Sequence, residues 1–600
     1  MKDTRLKQAG FSTSLWNNVA TKKLSQAFIA AIGIIGISCH GGPALAQSTV
    51  YVDQAGYRTH DPKIAYIKEP QNGAFEIIDV STTKSVYKGT IRAIGNRDDA
   101  TGDVTYSLDF SNFTRPGRYQ LWLPGASYVS AEFSIENDVY RDVAVTSLQS
   151  FYFQRCGTEV GNGTLWEHPP CHTNNAFYFS DPSKSRDVTG GWHDAGDYNK
   201  FVPTTAVSAA FILYLYERSP EKFYDGQLAI PEAANGVPDI LDEARWGLTW
   251  LLKMQEEDGS VHHKVSIRKW TGEHLPQTEK DPQFIFDVSS ASTADFAAVT
   301  AMGARAFEKW DHQFAQQLLR ASLKAWAFLE IHHSVVPPGG FRNPPGVEGG
   351  EYGDDQDADE RLWASVELYR TTGSNKFHDY FLSNYSTLGG YAFPVSWQHV
   401  QNFAYSSYLR LPASRQNLQV RAYLASSLLK YADRLLLRIE ENGYRYVLSS
   451  EEYYWGSNSV ALGYAYDLIQ AYDFAGSRRY LDGALDQLHF MLGRNTFGIS
   501  FVTDVGSHSV ARPYHQFSML LDAGKPVPGM VVAGANKSSR LRGQKISDFP
   551  GRCYEDNQKN YFVNETAINY TAPFVYLAGC LSEFNEKRVS AANLKNHSMR

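Results

Sequence analysis

The densest run of chemically useful side chains is Gly190-Gly191-Trp192-His193-Asp194-Ala195-Gly196-Asp197-Tyr198-Asn199-Lys200-Phe201. Two aspartates three residues apart can face one space if the loop between them turns tightly, and Gly196 permits such a turn. The plainer alternative is a helix N-terminus with Asp197 as its cap. A second acidic stretch runs from Tyr554 through Glu555, Asp556 and Tyr561 to Asn564, Glu565 and Ala567, and by itself reads as a solvated loop entering the last helix. Cys156, Cys171, His172 and His193 form another set. Two thiols and two imidazoles are a normal tetrahedral zinc complement, whereas a disulfide between Cys156 and Cys171 would suit an exported chain. Finally, the acidic run Asp354 to Glu360 precedes a helical pattern, where the N-terminal dipole stabilises negative charge.

Elements able to position these groups follow from periodicity. Short alternating runs such as Lys63–Ile67, Phe75–Val80, Val104–Phe110 and Tyr119–Leu123 predict about seven strands and a small β-sandwich. After about Asn137 the period becomes helical. Ile240, Leu241, Ala244, Leu248, Leu251 and Leu252 follow one stripe, and 294–306, 314–329, 362–369, 420–437, 460–472 and 481–492 behave alike. About a dozen helices are predicted with almost no strand signal, many rich in alanine and apolar on more than one face, as an inner ring covered by an outer ring requires. An α/α barrel fits. Long irregular stretches at 155–197, 257–289, 331–356 and 494–560 are expected to gather at one mouth and build a cleft.

Composition narrows the partners. Hydrophobic residues at 43% and charged residues at 20% describe a folded chain. A net charge of −7 argues against nucleic acid as partner. The aromatic share of 14%, with 36 tyrosines, suits sugar rings and equally a large aromatic core. Lys2, Arg5, Lys7, Lys22 and Lys23 precede an apolar run, Ala27 to Ser38, and the small-residue site Ala44-Leu45-Ala46, which reads as a secretory signal peptide over residues 1–46. Its removal leaves a secreted or periplasmic chain of net charge −11. Nothing is long and apolar enough to span a membrane, and a monomer is expected.

These segments together resemble glycoside hydrolase family 9, the cellulase family, in the subgroup that carries an N-terminal immunoglobulin-like domain. The resemblance rests on Val52 to Tyr57, the 190–201 loop, Pro238 to Glu243, Ser292 to Ala298, Tyr454-Trp455-Gly456-Ser457-Asn458, Leu492 to Asn495 and Asn564-Glu565. It implies a mainly α fold, an (α/α)6 barrel over 138–586 preceded by a sandwich over 48–137, with a tail at 587–600. It implies Asp197 as catalytic base, Asp194 as the assisting carboxylate and Glu565 as general acid. In an inverting glycosidase such a base and acid stand roughly 6.5 to 9.5 Å apart with water between them, and the acid needs a raised pKa. It favours structural zinc at Cys156, Cys171, His172 and His193, and calcium at Asp359 and Glu360, although Gln398 stands where a further calcium ligand is expected. Cys553 and Cys580 are left free or paired with each other.

The expected substrate is a β-1,4-linked glucan or oligosaccharide, cleaved as by an endoglucanase. Departures from the family pattern bear on specificity. The family's Pro-His-His-Arg reads Pro513-Tyr514-His515-Gln516 here, Asp504 replaces a glycine, and Thr571 replaces an asparagine. Tyr514, His515, Gln516 and Asp504, with Tyr561 and Trp455, are therefore the expected sugar contacts, and Asp504 raises the alternative of a cationic sugar. The other readings are an exo-acting β-glucosidase or exo-β-glucosaminidase, and a catalytically weak glycan-binding protein.

Overall fold

The computed structural model describes residues 50–582, apart from 69–72, 96, 125–128, 162, 522–523 and 542. The leader, including Cys39, and the 587–600 tail lie outside the described residues. The sandwich consists of β1 (Gly56–Tyr57), β2 (Ile64–Ile67), β3 (Ala74–Asp79), β4 (Lys84–Ala93), β5 (Tyr106–Asp109), β6 (Gly117–Trp122) and β7 (Phe133–Ile135), in the order β1-β7-β6-β3-β4-β5-β2. Among these seven, β1 and β7 pair in parallel and the other neighbours are antiparallel. The long β4 belongs to both sheets, pairing with β3 over most of its length and with β5 at Ile91–Ala93. Alternation places Phe75, Ile77, Leu108, Tyr119, Leu121 and Phe133 in one core.

The helices form two concentric rings. The inner ring holds α2 (Val202–Arg218), α4 (Ser290–Phe307), α6 (Ala358–Thr372), α8 (Gln401–Leu409), α10 (Ser457–Ala475) and α14 (Ile568–Leu581), and it closes because α14 packs on α2. The outer ring holds α1 (Arg141–Tyr152), α3 (Asp239–Lys253), α5 (His312–Ile331), α7 (Asn375–Asn384), α9 (Leu418–Glu441) and α11 (Arg478–Met491). Two short helices, α12 (Gln516–Leu520) and α13 (Tyr561–Asn564), lie in the connections. Sequence explains the division. Residues 202–216 of α2 are all buried, so no face of it is polar, whereas α9 buries only a stripe at Val420, Leu424, Leu428, Tyr431, Leu435 and Ile439. This is the (α/α)6 barrel.

The connections hold a small sheet that the helical period does not predict. Segments 155–201 and 257–289 carry five short strands, β8 (Ala176–Tyr178), β9 (Ser185–Arg186), β10 (Lys200–Phe201), β11 (Lys264–Ile267) and β12 (Gln283–Ile285), joined in the order β10-β11-β12-β8-β9. Strands of two to four residues are too short to show a period, and apart from the local β8–β9 hairpin they pair across longer separations.

The sandwich is bonded to the barrel through buried polar groups. The Asp103 carboxylate accepts from Tyr444 Oη at 2.6 Å and Thr496 Oγ1 at 2.8 Å, and it pairs with Arg552 and Lys68. Asp53, also buried, is hydrogen-bonded to the His489 ring at 2.8 Å. Replacing Asp103 by Ala leaves the buried Tyr444 hydroxyl without its partner. A loss of about 2 to 4 kcal/mol is expected in urea unfolding of the whole chain; an unmoved midpoint would show that the junction is held elsewhere.

Candidate active site and metal centre

Alternation of outer and inner helices makes all six inner helices run the same way, so their N-termini open on one mouth. The residues singled out by sequence lie just before them: Asp194 and Asp197 before α2, Trp455 before α10, and Glu565 before α14. Asp197 is not a helix cap. The N-cap of α2 is Phe201, and Asp197 instead accepts from Asn199, Oδ1 from its amide at 3.2 Å and Oδ2 from its side chain at 2.6 Å.

Backbone bonds fix the base loop against the Glu565 segment. Gln516 N donates to Gly196 O at 2.8 Å, Tyr514 N to Asn564 O at 2.8 Å, and Ile568 N to Asp194 O at 2.8 Å. Gly196 is required for proximity rather than for an unusual φ: a Cβ there would sit 2.5 Å from the Tyr514 ring and 2.6 Å from its carbonyl oxygen. The Gly196 amide also serves the Glu565 carboxylate.

The three carboxyl groups share one desolvated space. Burial, then the negative charges of Asp197 and Asp194, push Glu565 well above its usual range. Burial raises Asp197 to about 6, with Glu279 adding to the rise and the Asn199 bonds and Lys264 opposing it. Burial raises Asp194 to about 7. Asp194 Oδ2 accepts from Tyr352 Oη at 3.0 Å, while its Oδ1 is buried without a partner. Tyr352 reaches it from the 331–356 segment with φ +48°, a strained value for a bulky residue. Neighbouring acids that cannot all ionise are suited to holding one proton and one charge at neutral pH.

Around this centre the rim is aromatic. Trp455, Tyr561 and Phe562 are 42%, 40% and 39% exposed and pack together, with ring centroids 4.4 to 5.6 Å apart. Tyr514 is half-buried 5.8 Å from Tyr561. The other expected sugar contacts are elsewhere. His515 is buried, its ring bonded to Ser518 and Gln154. Gln516 is buried and accepts from His274 N at 2.8 Å. Both face into the fold, where Gln516 N is also tied to Gly196 O and the side chains find Ser518, Gln154 and the His274 amide. Asp504 is exposed at φ +53° in the turn leading to 506–508, which packs on Gln54 of the sandwich. Thr571 lies within α14 and accepts from Val531 N. Sequence reading missed Phe562, adjacent to Tyr561, and Tyr352, which no local pattern marks.

Cys156, Cys171, His172 and His193 converge, with their ligand atoms all within 4.8 Å of one another. Cys171 Sγ is 3.7 Å from His193 Nε2, close to the ~3.5 Å separation that tetrahedral zinc imposes on its ligands. The cysteines form no disulfide, and Cys553 and Cys580 are also free. His172 turns its buried Nδ1, which has no other partner, to the cluster, and its Nε2 is 2.9 Å from Glu279 Oε2. Such an outer carboxylate fixes the ring of a ligating histidine. Lys200 Nζ is 3.7 Å from Cys156 Sγ. The Cys171 hydrogen bond, then Lys200 and His193, draw the Cys156 thiol well below its usual value despite burial, and that thiolate pushes Cys171 upward.

Asp359 and Glu360 are buried at the start of α6, joined by Asp354 and by Asp295 of α4. Asp359 Oδ2 accepts from Val400 N at 2.9 Å. Both oxygens of Asp295 and one of Glu360 have no partner, and burial with mutual repulsion pushes these two acids well up. Among the described residues, this group does not draw its ligand atoms as close together as the cysteine and histidine set.

The chain is similar over most of its length to known proteins. The family described as Glycosyl hydrolase family 9 matches residues 140–578, and the one described as Cellulase N-terminal ig-like domain matches 45–127. Endoglucanase D of Acetivibrio thermocellus is 34% identical over 82% of this chain and 77% of its own length. The Cellodextrinase of Butyrivibrio fibrisolvens is 31% identical over 89% of this chain and 99% of its own. The solved structure of a zinc-binding triple mutant of a family 9 endoglucanase superposes with a TM-score of 0.82 at 35% identity, covering 88% of this chain and all of that one.

Proposed function

The chain belongs to glycosyl hydrolase family 9, and from that premise we propose that it hydrolyses β-1,4-linked glucan with inversion, cutting within chains as an endoglucanase. The observation that carries this reading is the group of three carboxyls, Asp194 buried and Asp197 and Glu565 half-buried, tied together through Gly196 and Tyr514 beside an exposed aromatic rim. Asp197, ionised, takes a proton from water. Asp194, held by Tyr352, orients the same water. Glu565, kept protonated by burial and by its two acidic neighbours, gives its proton to the leaving oxygen. Trp455, Tyr561, Phe562 and Tyr514 offer ring faces to the apolar faces of sugars. Proton NMR of the first product tests the stereochemistry, and a retained anomer rejects it. Viscosity loss far ahead of reducing-end release supports internal cleavage, whereas matched rates favour trimming of short oligosaccharides, as the name of the Cellodextrinase suggests. Asp504, on which the amino-sugar reading rests, is exposed on the turn leading to 506–508 beside Gln54.

Activity should fall as pH drops through about 6, where Asp197 takes up its proton. A kcat/KM profile flat down to pH 4 would reject Asp197 as base.

The cysteine and histidine set fits structural zinc, which would hold Cys156 and the base loop through His193 and supply no reacting group. Glu279→Gln is expected to weaken zinc about 10- to 100-fold in a competition titration with a chromophoric chelator; unchanged affinity would deny Glu279 this role. Asp359 and Glu360, with Asp295 and Asp354, fit a hard divalent cation such as calcium, because four acids gather there and both oxygens of Asp295 and one of Glu360 are buried without a partner. Calcium should then raise the melting temperature of the wild type and not of Asp295→Asn. Export rests on the Ala27 to Ser38 run and the site after it.

A further inference from the structure

We infer that Lys264 is a positioning residue for the hydrolytic reaction: its buried ammonium group pins the 341–353 segment beside the base loop and holds Asp197 in the ionised form. Lys264 opens β11 and pairs with Phe201 of β10, four residues after Asp197. Its side chain is 0% exposed. Nζ donates to Asn343 Oδ1 at 2.6 Å and to Gly350 O at 2.8 Å, both on the segment between α5 and α6. The rings of Phe201, Phe286 and Phe341 surround it at 5.5, 4.6 and 5.8 Å. A methionine or leucine would fill such a cage without the cost of burying a charge. Among the described residues no carboxylate lies within 4.0 Å of Nζ, so the charge is not consumed by an ion pair and acts across the low-dielectric interior.

The structural link to the base is short. Gly349, beside the bonded Gly350, approaches Asn199 so closely that a Cβ would stand 3.3 Å from its Nδ2. That same Nδ2 donates to Asp197 Oδ2 at 2.6 Å, and Asn199 Oδ1 accepts from Ile267 N of β11 at 3.1 Å. The strand of Lys264 and the loop it holds thus clasp Asn199 from two sides, and Asn199 clasps the base.

The charges facing Asp197 favour this role. Glu279, Asp194 and Glu565 oppose its ionisation, the phenols of Tyr198 and Tyr514 are neutral neighbours, and Lys264 favours it. The effect is mutual, since Asp197 and Glu351 sustain the charge of Lys264 while burial draws its pKa down to about 8. Asn343 and Gly350 supply the hydrogen bonds that keep the ammonium in place.

The inference rests on Asp197 being the base. Its test is the pH dependence of kcat/KM on a soluble oligosaccharide for the wild type, Lys264→Gln, Lys264→Met and Lys264→Arg. Glutamine keeps a donor for Asn343 and Gly350 without the charge, and methionine fills the ring cage if glutamine prevents folding. In the neutral variants the acid limb should move to higher pH, while Lys264→Arg leaves it in place. The limb's position is independent of overall loss of activity, and Lys264→Arg, which keeps the charge, separates the electrostatic role from a disturbance of the Asn199 clasp. A limb unmoved in a folded neutral variant overturns the inference. If Asp197→Asn is inactive and that limb still stays, only the role of Lys264 fails; if Asp197→Asn remains active, the assignment of the base fails first.

Discussion

Glu565→Gln is expected to lower kcat on cello-oligosaccharides by about a thousandfold or more, near the upper end of what one general acid contributes. Burial and two acidic neighbours keep the proton on this carboxyl, and the Gly196 amide orients it. Glutamine preserves the shape and cannot give up a proton. The loss should therefore depend on the leaving group. A dinitrophenyl cellobioside needs no protonation of its departing oxygen, and its turnover should fall less than about tenfold. Equal losses on both substrates would mean that Glu565 positions the sugar and that the proton comes from another group. Far-UV circular dichroism and zinc content of the variant should match the wild type, because the segment is held by backbone bonds from Tyr514, Ala533 and Gly534 that the substitution leaves intact.

Sequence made local relationships legible and distant ones obscure. Asp194 and Asp197 share one turn, and their common direction follows from their spacing and Gly196. The rings of helices were visible because the α4 and α10 segments are rich in alanine and apolar on more than one face while α9 is apolar on one stripe. The four metal-binding candidates stood out by residue type, since thiols and imidazoles together have few other uses. Side-chain direction in loops was not readable. His515 and Gln516 are neighbours of Tyr514 and yet turn inward, toward partners of which two, Gln154 and His274, come from distant segments. Tyr352 and Lys264 meet the base loop from more than 60 residues away, so no spacing announces them. Asp295 was a partial exception. An aspartate amid Ala294, Phe296, Ala297 and Ala298 on a helix buried on all sides is a charge that needs a partner, a signal that the motif contained and periodicity did not use.

The second large effect concerns the metal. Cys171→Ser is expected to abolish stoichiometric zinc and to cost about 4 kcal/mol or more in unfolding by urea, since loss of a bound metal belongs to the few changes with effects of that size. The site is buried on the 155–201 and 257–289 segments, whose short strands would be weak supports alone. With the ion gone, Cys156, His172 and His193 become polar groups buried without their common partner, and Lys200 faces a thiol in place of a metal-bound thiolate. The consequence should extend to catalysis. His193 adjoins Asp194 in sequence, and Tyr198, next to Asp197, packs its ring 4.9 Å from that of His193. Kinetics at a temperature where the variant stays folded should therefore show a lower kcat with a smaller change in KM, because the base loop loses its anchor while the aromatic rim around Trp455 does not. Removing zinc from the wild type with a chelator should reproduce both effects, and adding zinc back should reverse them. If the purified protein holds no zinc and unfolds at the same urea concentration with or without chelator, the four side chains are a packed polar cluster, and the base loop is held by its hydrogen bonds, among them those to Asn199, Gln516, Ile568 and Gln154.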